Sequence, residues 1–120
     1  MELVIAEVDC GWIPFFKEQV DDRYWRLHLA EKTGVRHPPS YYMQHNISYT
    51  YISDHFGIRN RHDIGVDRIM WSSDFPHVPA NWPESWRVIE AAFDGVPADE
   101  KHLILAGNAQ RLYHFGSEGP

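Results

Sequence analysis

Residues 65–77, GVDRIMWSSDFPH, form the most informative stretch of this chain. Gly65 opens a turn, and the apolar run Ile69-Met70-Trp71 that follows is typical of a short strand buried in a parallel sheet. The run stops at two serines and then Asp74. We therefore predict a strand that carries a carboxylate just beyond its carboxyl end.

Two earlier segments repeat this arrangement. A short apolar run over residues 3–6 ends at Glu7, and a segment rich in β-branched and aromatic residues, 46–52, is followed by Asp54. From Ile13 onward, apolar residues recur at spacings of three and four, which predicts a helix that ends at residues 33–34. Alternation of strands and helices favours a parallel α/β sheet, because parallel strands need crossover connections.

The connecting segments give weaker signals. Two prolines predict an extended connection over residues 36–40, and a helical turn fits residues 58–64. Trp86, Ile89 and Phe93 mark a later helix. Two last helical pieces are predicted around residues 103–105 and 112–113, with Asn108 as the N-cap of the second.

Acidic residues follow all three predicted strands, at Glu7, Asp54 and Asp74. In parallel α/β sheets, functional groups collect at the carboxyl ends of strands, so the three acids form a candidate rim. The alternative is structural, since acids also favour loops and the N-termini of helices. The pattern leaves both interpretations open for each residue.

Composition narrows the class of protein. The chain has 120 residues, 43% of them hydrophobic, which is enough for a packed core. A formal charge of −6 gives no reason to expect nucleic acid or an anionic membrane as a partner. No segment has the length and apolarity of a signal peptide or a membrane span, so we expect a cytoplasmic protein. The single cysteine, Cys10, excludes an internal disulfide, and the eight histidines form no His-x-His or His-Glu-x-x-His motif.

Residues 65–77 resemble the last strand and following loop of the amidohydrolase-related family, which includes aminocarboxymuconate-semialdehyde decarboxylase-like and resorcylate decarboxylase-like enzymes. Other segments are similar to parts of the same family: AEVDCGWIP (6–14), PSYY (39–42), WPES (82–85) and GNAQRLY (107–113). The resemblance spans nearly the whole chain. It implies that residues 1–120 are the C-terminal portion of a TIM-type (β/α)8 barrel, with its sixth, seventh and eighth βα units followed by C-terminal helices. A whole barrel takes roughly 250 residues.

The resemblance also implies a site. Members of the family hold a divalent metal, most often zinc or manganese, through histidines of earlier strands and the aspartate after the eighth strand. Asp74 matches that aspartate, as metal ligand and as catalytic base, because a metal-bound water becomes acidic enough to lose a proton near neutral pH. Glu7 stands where many relatives carry a histidine and is the second candidate ligand. His77, Trp12 and Trp82 are candidates for contact with substrate, although each of them also fits a packing role.

Several functions remain open from the sequence. The first is a metal-dependent hydrolase acting on a small organic substrate, and the second is a carboxy-lyase that uses the same site. A third is a catalytically incomplete barrel fragment that associates with a second copy or with a missing N-terminal portion, because three βα units cannot close a barrel. A flavodoxin-like open α/β binding module is the weakest alternative, since no glycine-rich phosphate loop is present.

Overall fold

The three predicted strands are all present, and they pair in parallel. The computed structural model describes residues 1–78 and 80–116. Within these, β1 (Leu3–Ile5), β2 (Ile47–Tyr51) and β3 (Ile69–Trp71) form one sheet in the order β1-β2-β3. Ile5 lies opposite Tyr49, and Tyr51 lies opposite Trp71. Each strand therefore pairs with the next one along the chain, and all three carboxyl ends lie at the same edge of the sheet.

This strand order bears on the flavodoxin-like alternative. Open doubly wound sheets bind ligands where the strand order reverses. The described sheet has no such reversal, because its strands succeed one another in one direction. Consecutive parallel neighbours are the arrangement found in a barrel, although one half of an open sheet shares it.

Helices connect the strands and follow the last one. Eight α-helical segments are described, together with a 3-10 turn before β3 and a π-helical turn near the C-terminus. They are α1 (Ile13–Arg26), α2 (Leu29–Thr33), α3 (Pro39–Asn46), α4 (His55–Arg59), α5 (Arg61–Ile64), the 3-10 turn (Val66–Arg68), α6 (Ser85–Ala92), α7 (Ala98–His102), the π-helical turn (Leu103–Gly107) and α8 (Asn108–Tyr113).

Two expectations for the first connection were wrong in detail. The first predicted helix is divided in two, because His28 adopts a left-handed backbone conformation with φ of 52° between α1 and α2. The predicted extended segment 36–40 also ends early. Helix α3 begins at Pro39, since a proline in the first helical turn loses no hydrogen bond there.

The C-terminal helices also differ from the prediction. Residues 98–113 run on as α7, the π-helical turn and α8 without interruption, so Asn108 is not an N-cap. Its side chain is buried, and Nδ2 donates to the carbonyl oxygens of Val66 at 2.7 Å and Ile69 at 2.8 Å. Asn108 therefore fixes the last helix against the start of β3.

The core lies between one face of the sheet and the helices. Side chains alternate between the two faces of a strand. Tyr49, Tyr51 and Ile69 point to the face that is covered by helices, where they pack with buried residues from them, such as Ile58 and Ile104. In the predicted stripe of α6, Ile89 and Phe93 are buried, whereas Trp86 is exposed.

The molecule is more extended than a self-contained domain of its length. Its radius of gyration is 16.2 Å, against about 14 Å expected for 120 residues. Many large apolar side chains are exposed, among them Leu3 on β1 and Phe15 and Trp25 on α1. None of the helices in the described ranges is long and apolar enough to cross a membrane.

Candidate functional site at the carboxyl ends of the strands

Glu7 and Asp74 lie beyond the ends of the two outer strands, at the same edge of the sheet. Both residues have left-handed backbone conformations, with φ of 58° at Glu7 and 53° at Asp74. Such conformations are uncommon for residues other than glycine, and they are concentrated at functional sites. Because β2 separates β1 from β3, the two strand ends are about 10 Å apart.

Asp74 has the more secluded carboxylate. Its side chain is only 6% exposed, although Asp74 lies in the irregular loop after β3. Within residues 1–78 and 80–116, the imidazole of His77 lies beside it, with Nδ1 3.7 Å from Oδ1 of Asp74. That separation is too long for a hydrogen bond. A secluded carboxylate of this kind has unused capacity to accept a donor or to bind a cation.

His77 is held close to Asp74 by the backbone of the loop. The N–H of His77 donates to the carbonyl oxygen of Asp74 at 2.8 Å, which closes a tight turn. The imidazole itself is 70% exposed. The His77 imidazole thus lies beside the Asp74 carboxylate and is open to solvent.

Glu7 is held by its backbone rather than by its carboxylate. Its N–H donates to Oγ1 of Thr50 at 2.8 Å, and the next residue, Val8, donates to the carbonyl oxygen of Thr50 at 3.3 Å. The Glu7 side chain lies on the surface. These contacts fix the position of Glu7 and leave its carboxylate available at the edge of the sheet.

Asp54, the third acid of the predicted rim, has a structural role. Its Oδ1 accepts the N–H of Gly57 at 2.7 Å, which caps α4, and its Oδ2 accepts the N–H groups of Cys10 at 2.7 Å and Gly11 at 2.6 Å. Desolvation alone would raise the pKa of Asp54, but these hydrogen bonds outweigh it and hold the pKa below its ordinary value of 3.8. Asp54 therefore joins the loops after β1 and β2 as an anion.

Trp12 packs between the first loop and the sheet. Its indole Nε1 donates to the carbonyl oxygen of Val8 at 2.8 Å, and its ring meets those of Phe16 and Tyr49 edge-on. Part of the ring remains exposed. The indole thus anchors the loop that carries Glu7.

Trp82 lines an open cavity of about 370 Å³ together with two other tryptophans, Trp71 and Trp86. The edge of Phe75 contacts the Trp82 ring, with centroids 6.0 Å apart. None of the other candidate site residues lines this cavity, so the structure does not gather all five of them around one pocket. The sequence pattern placed Trp71 in a strand and Trp86 in a later helix, and nothing in it indicated that the two would meet Trp82.

The described residues do not form a complete metal site. A catalytic zinc usually has three protein ligands. Within residues 1–78 and 80–116, no group of three or more histidine, cysteine, aspartate or glutamate side chains is placed to hold one ion. Asp74 offers a carboxylate with unused capacity, but the other ligands of such a site are not found among the described side chains.

Comparison with known proteins identifies the family. A family model described as Amidohydrolase matches residues 4–115. The chain belongs to this amidohydrolase family. The family resemblance of the 65–77 segment is thereby confirmed. A comparison with curated protein sequences gave no match.

Solved structures of the same fold are similar to nearly the whole chain. The 5-carboxyvanillate decarboxylase LigW from Sphingomonas paucimobilis matches with a TM-score of 0.71 and 23% identity, over 94% of this chain and 33% of its own. The apo form of Metarhizium anisopliae IDCase has a TM-score of 0.70 and 19% identity, over 95% and 34%. A dihydroxybenzoic acid decarboxylase from Polaromonas sp. JS666, with bound manganese and the inhibitor 2-nitroresorcinol, has a TM-score of 0.69 and 20% identity, over 94% and 33%.

These matches establish the architecture. The chain spans about a third of the length of the solved structures that it matches. Its three parallel strands and their helices have the architecture of part of a TIM-type barrel, as the resemblance implied. At these levels of identity, the similarity to the solved structures concerns the fold.

Proposed function

We propose that this chain contributes Asp74 to the divalent-metal site of a barrel enzyme that removes a carboxyl group from a small organic acid. The observation that carries the proposal is the Asp74 carboxylate. It is 6% exposed, lies beyond the carboxyl end of β3 in an amidohydrolase-family chain, and has no hydrogen-bond donor recorded among the described residues. A group in this state is suited to a cation that the rest of the barrel helps to hold.

The proposed metal site is shared. Asp74 supplies one ligand, Glu7 is the second candidate at the same edge of the sheet, and the remaining ligands come from barrel units that this chain does not contain. Zinc and manganese are the candidate ions, and the manganese in the Polaromonas relative supports the second of these. The isolated chain is accordingly a catalytically incomplete barrel, which acts after it joins the other units on a longer chain or by association.

Three further residues have proposed supporting roles. We assign His77 to orientation of the Asp74 carboxylate and to contact with substrate, since its exposed imidazole lies beside that carboxylate. Trp12 and Trp82 are proposed walls of the substrate's path, and Trp12 also anchors the loop of Glu7. The substrate that this arrangement suits is a small molecule.

Carboxy-lyase activity is preferred because two of the matched structures are named as decarboxylases. Hydrolysis of a C–N or C–O bond is the second candidate, and the family description supports it. The two reactions differ in what the site must deliver. A hydrolase needs a deprotonated water as nucleophile, whereas a decarboxylase needs an acid that donates a proton to carbon.

The test uses a barrel completed by the missing units. Release of CO2 from dihydroxybenzoic and carboxyvanillic acids is measured with manganese or zinc present, beside hydrolysis of small amides and esters. We expect Asp74→Asn to lower turnover by roughly 10²-fold or more, because the substitution removes the charge and the proton acceptor but little volume. Asp67→Asn, at the opposite end of the same strand, is the matched control. Equal turnover of Asp74→Asn and the control would exclude Asp74 from the reaction.

A further inference from the structure

The loop between β3 and α6, which carries the candidate metal ligand, is fastened at two points to the carboxyl end of β2. At the start of this β3–α6 loop, the N–H of Ser72 donates to the carbonyl oxygen of Tyr51 at 2.8 Å. Further along, Nδ2 of Asn81 donates to the carbonyl oxygen of Ile52 at 3.1 Å. Two consecutive carbonyl groups therefore hold the loop on both sides of Asp74.

Between these two points, the backbone of the β3–α6 loop forms consecutive turns. The N–H of His77 donates to the carbonyl oxygen of Asp74 at 2.8 Å, and the N–H of Ala80 donates to the carbonyl oxygen of His77 at 3.0 Å. Asn81 follows directly after the second turn. The position of Asn81 therefore bears on that of Asp74 through two short hydrogen-bonded turns.

Ile52, which accepts the Asn81 hydrogen bond, is also joined to the loop after β1. Its backbone N–H donates to Oδ1 of Asp9 at 3.3 Å, and Asp9 lies two residues after Glu7. The backbone of Ile52 thus donates to the loop that carries Glu7 and accepts from the loop that carries Asp74. Both candidate metal ligands are connected in this way to one residue at the end of β2.

We propose that Asn81 is a positioning residue for Asp74, because its amide holds the β3–α6 loop against Ile52 and so sets the direction in which the Asp74 carboxylate meets a divalent cation. This inference rests on the metal site proposed above, and it adds a residue that acts through Asp74. A single neutral hydrogen bond typically shifts an equilibrium by roughly two- to tenfold. Loss of the Asn81 bond should therefore loosen the loop by a factor in this range and leave the sheet folded.

Two NMR measurements on the 120-residue chain test the proposal. The chain carries Leu3→Lys, since Leu3 is 49% exposed at the edge of β1 and a charge there opposes association. Without metal, Asn81→Ala is expected to speed the exchange of the His77 and Ala80 amides with solvent by about fivefold, while the amides of β2 change less than about twofold. In a titration with Mn²⁺, the concentration that half-broadens the signals around Asp74 is expected to rise by about fivefold.

Three further variants make the result specific. Asn60→Ala is the matched control, because Nδ2 of this half-buried asparagine also donates to a backbone carbonyl oxygen, that of Phe56 at 2.8 Å. It should leave both measurements within about twofold of the parent. Asn81→Gln keeps an amide donor and should recover part of both effects. Asn81→Leu keeps the approximate volume without the donor and should match Asn81→Ala.

Each contrary outcome has a distinct meaning. Unchanged exchange in Asn81→Ala, or an equal change in Asn60→Ala, would overturn the attachment of the loop by Asn81. Faster exchange with an unchanged Mn²⁺ titration would overturn the positioning role, because Asn81 would then only stabilise the loop. Absence of broadening around Asp74 in the parent chain would overturn the metal site and the positioning role with it. The exchange measurement tells this last failure apart, since it needs no metal.

Discussion

The carboxylate of Asp54 accepts the backbone N–H of Cys10 at 2.7 Å, across 44 positions of sequence. The same carboxylate caps α4 through Gly57 and also holds Gly11. The loops after β1 and β2 are therefore joined by one side chain, beside the edge of the sheet where Glu7 and Asp74 lie. The loop that carries Glu7 is thereby tied to the start of α4.

Removal of the Asp54 carboxylate should destabilise the fold. We expect Asp54→Ala to lower the free energy of unfolding by about 2–4 kcal/mol, since the helix loses its cap and backbone N–H groups lose their acceptor. Asp54→Asn keeps one acceptor oxygen and should lose about half as much. Urea denaturation measures both. Asp94→Ala, at an exposed aspartate, should stay within about 0.5 kcal/mol of the wild type. If Asp54→Ala also stayed within about 0.5 kcal/mol of the wild type, the junction would contribute little to the free energy of unfolding.

The hydrogen bonds of the Asp54 carboxylate predict that the stability of the fold depends on pH. The pKa of Asp54 in the folded state lies below its ordinary value of 3.8, so the stability that the carboxylate contributes is fully present above that pH. The contribution is lost as the pH falls from 3.8 through the folded-state pKa. The difference in unfolding free energy between wild type and Asp54→Asn should therefore be smaller at about pH 2 than at about pH 6. A difference that grows on acidification would contradict the assignment of Asp54 as a hydrogen-bonded anion.

Gly57 fits a space with no room for a side chain. A Cβ at this position would lie 2.3 Å from the Sγ of Cys10 and 2.8 Å from the Oδ2 of Asp54. Gly57→Ala should cost about 1–3 kcal/mol, and adding Cys10→Ala should recover part of that loss because the closest clash is removed. Thermal melts of the two single variants and the double variant measure the coupling.

Gly107→Ala serves as the control for Gly57→Ala. Gly107 lies at the end of the π-helical turn, and the atom nearest to a Cβ there would be the side-chain tip of Leu103, at 3.2 Å, with the ring of His102 beyond it. Within a helical run, this change should be neutral or slightly stabilising, by up to about 1 kcal/mol. If Gly57→Ala proved equally harmless, the close packing of Cys10 against α4 would be refuted.

Exposed apolar surface beside β1 predicts association. Met1, Leu3, Tyr42 and Ile47 surround an apolar hollow next to the unpaired edge of this strand. We expect the chain to sediment as oligomers or aggregates at micromolar concentration, despite its net negative charge. Leu3→Lys should shift it toward monomer, whereas Leu27→Lys, at a similarly exposed leucine just after α1, should have less effect. A compact wild-type monomer with a cooperative melt would show that this surface needs no partner.

The fold was largely predictable from the sequence, because short apolar runs and helical periodicity are local signals. Ile69–Trp71 was recognisable in this way, and so was the parallel arrangement. Asn108 was assigned wrongly, since its amide is satisfied by the carbonyl oxygens of Val66 and Ile69, which are remote in sequence. The same limit applies to Asp54, whose partners at Cys10 and Gly11 are visible only after folding.

The candidate site was predictable in part. Asp74 could be proposed because it follows a strand directly and lies in a recognisable motif, but its seclusion from solvent depends on the packing of the loop. The meeting of Trp71, Trp82 and Trp86 could not be foreseen, since three separate segments bring them together. Tertiary contacts of this kind leave no periodic pattern in the sequence.

Asp74 is proposed as a metal ligand in a site that this chain does not complete alone. Paramagnetic broadening by Mn²⁺ is therefore measured in spectra of the Leu3→Lys chain, the variant that is expected to be shifted toward monomer. We expect weak binding, with broadening centred on the loop around Asp74, lost when Asp74→Asn is added and retained when Asp67→Asn is added. Broadening centred elsewhere and unchanged in Asp74→Asn would show that Asp74 is not the metal ligand. Tight stoichiometric manganese would show instead that the chain completes the site alone, because a single carboxylate with one neighbouring imidazole does not hold the ion strongly.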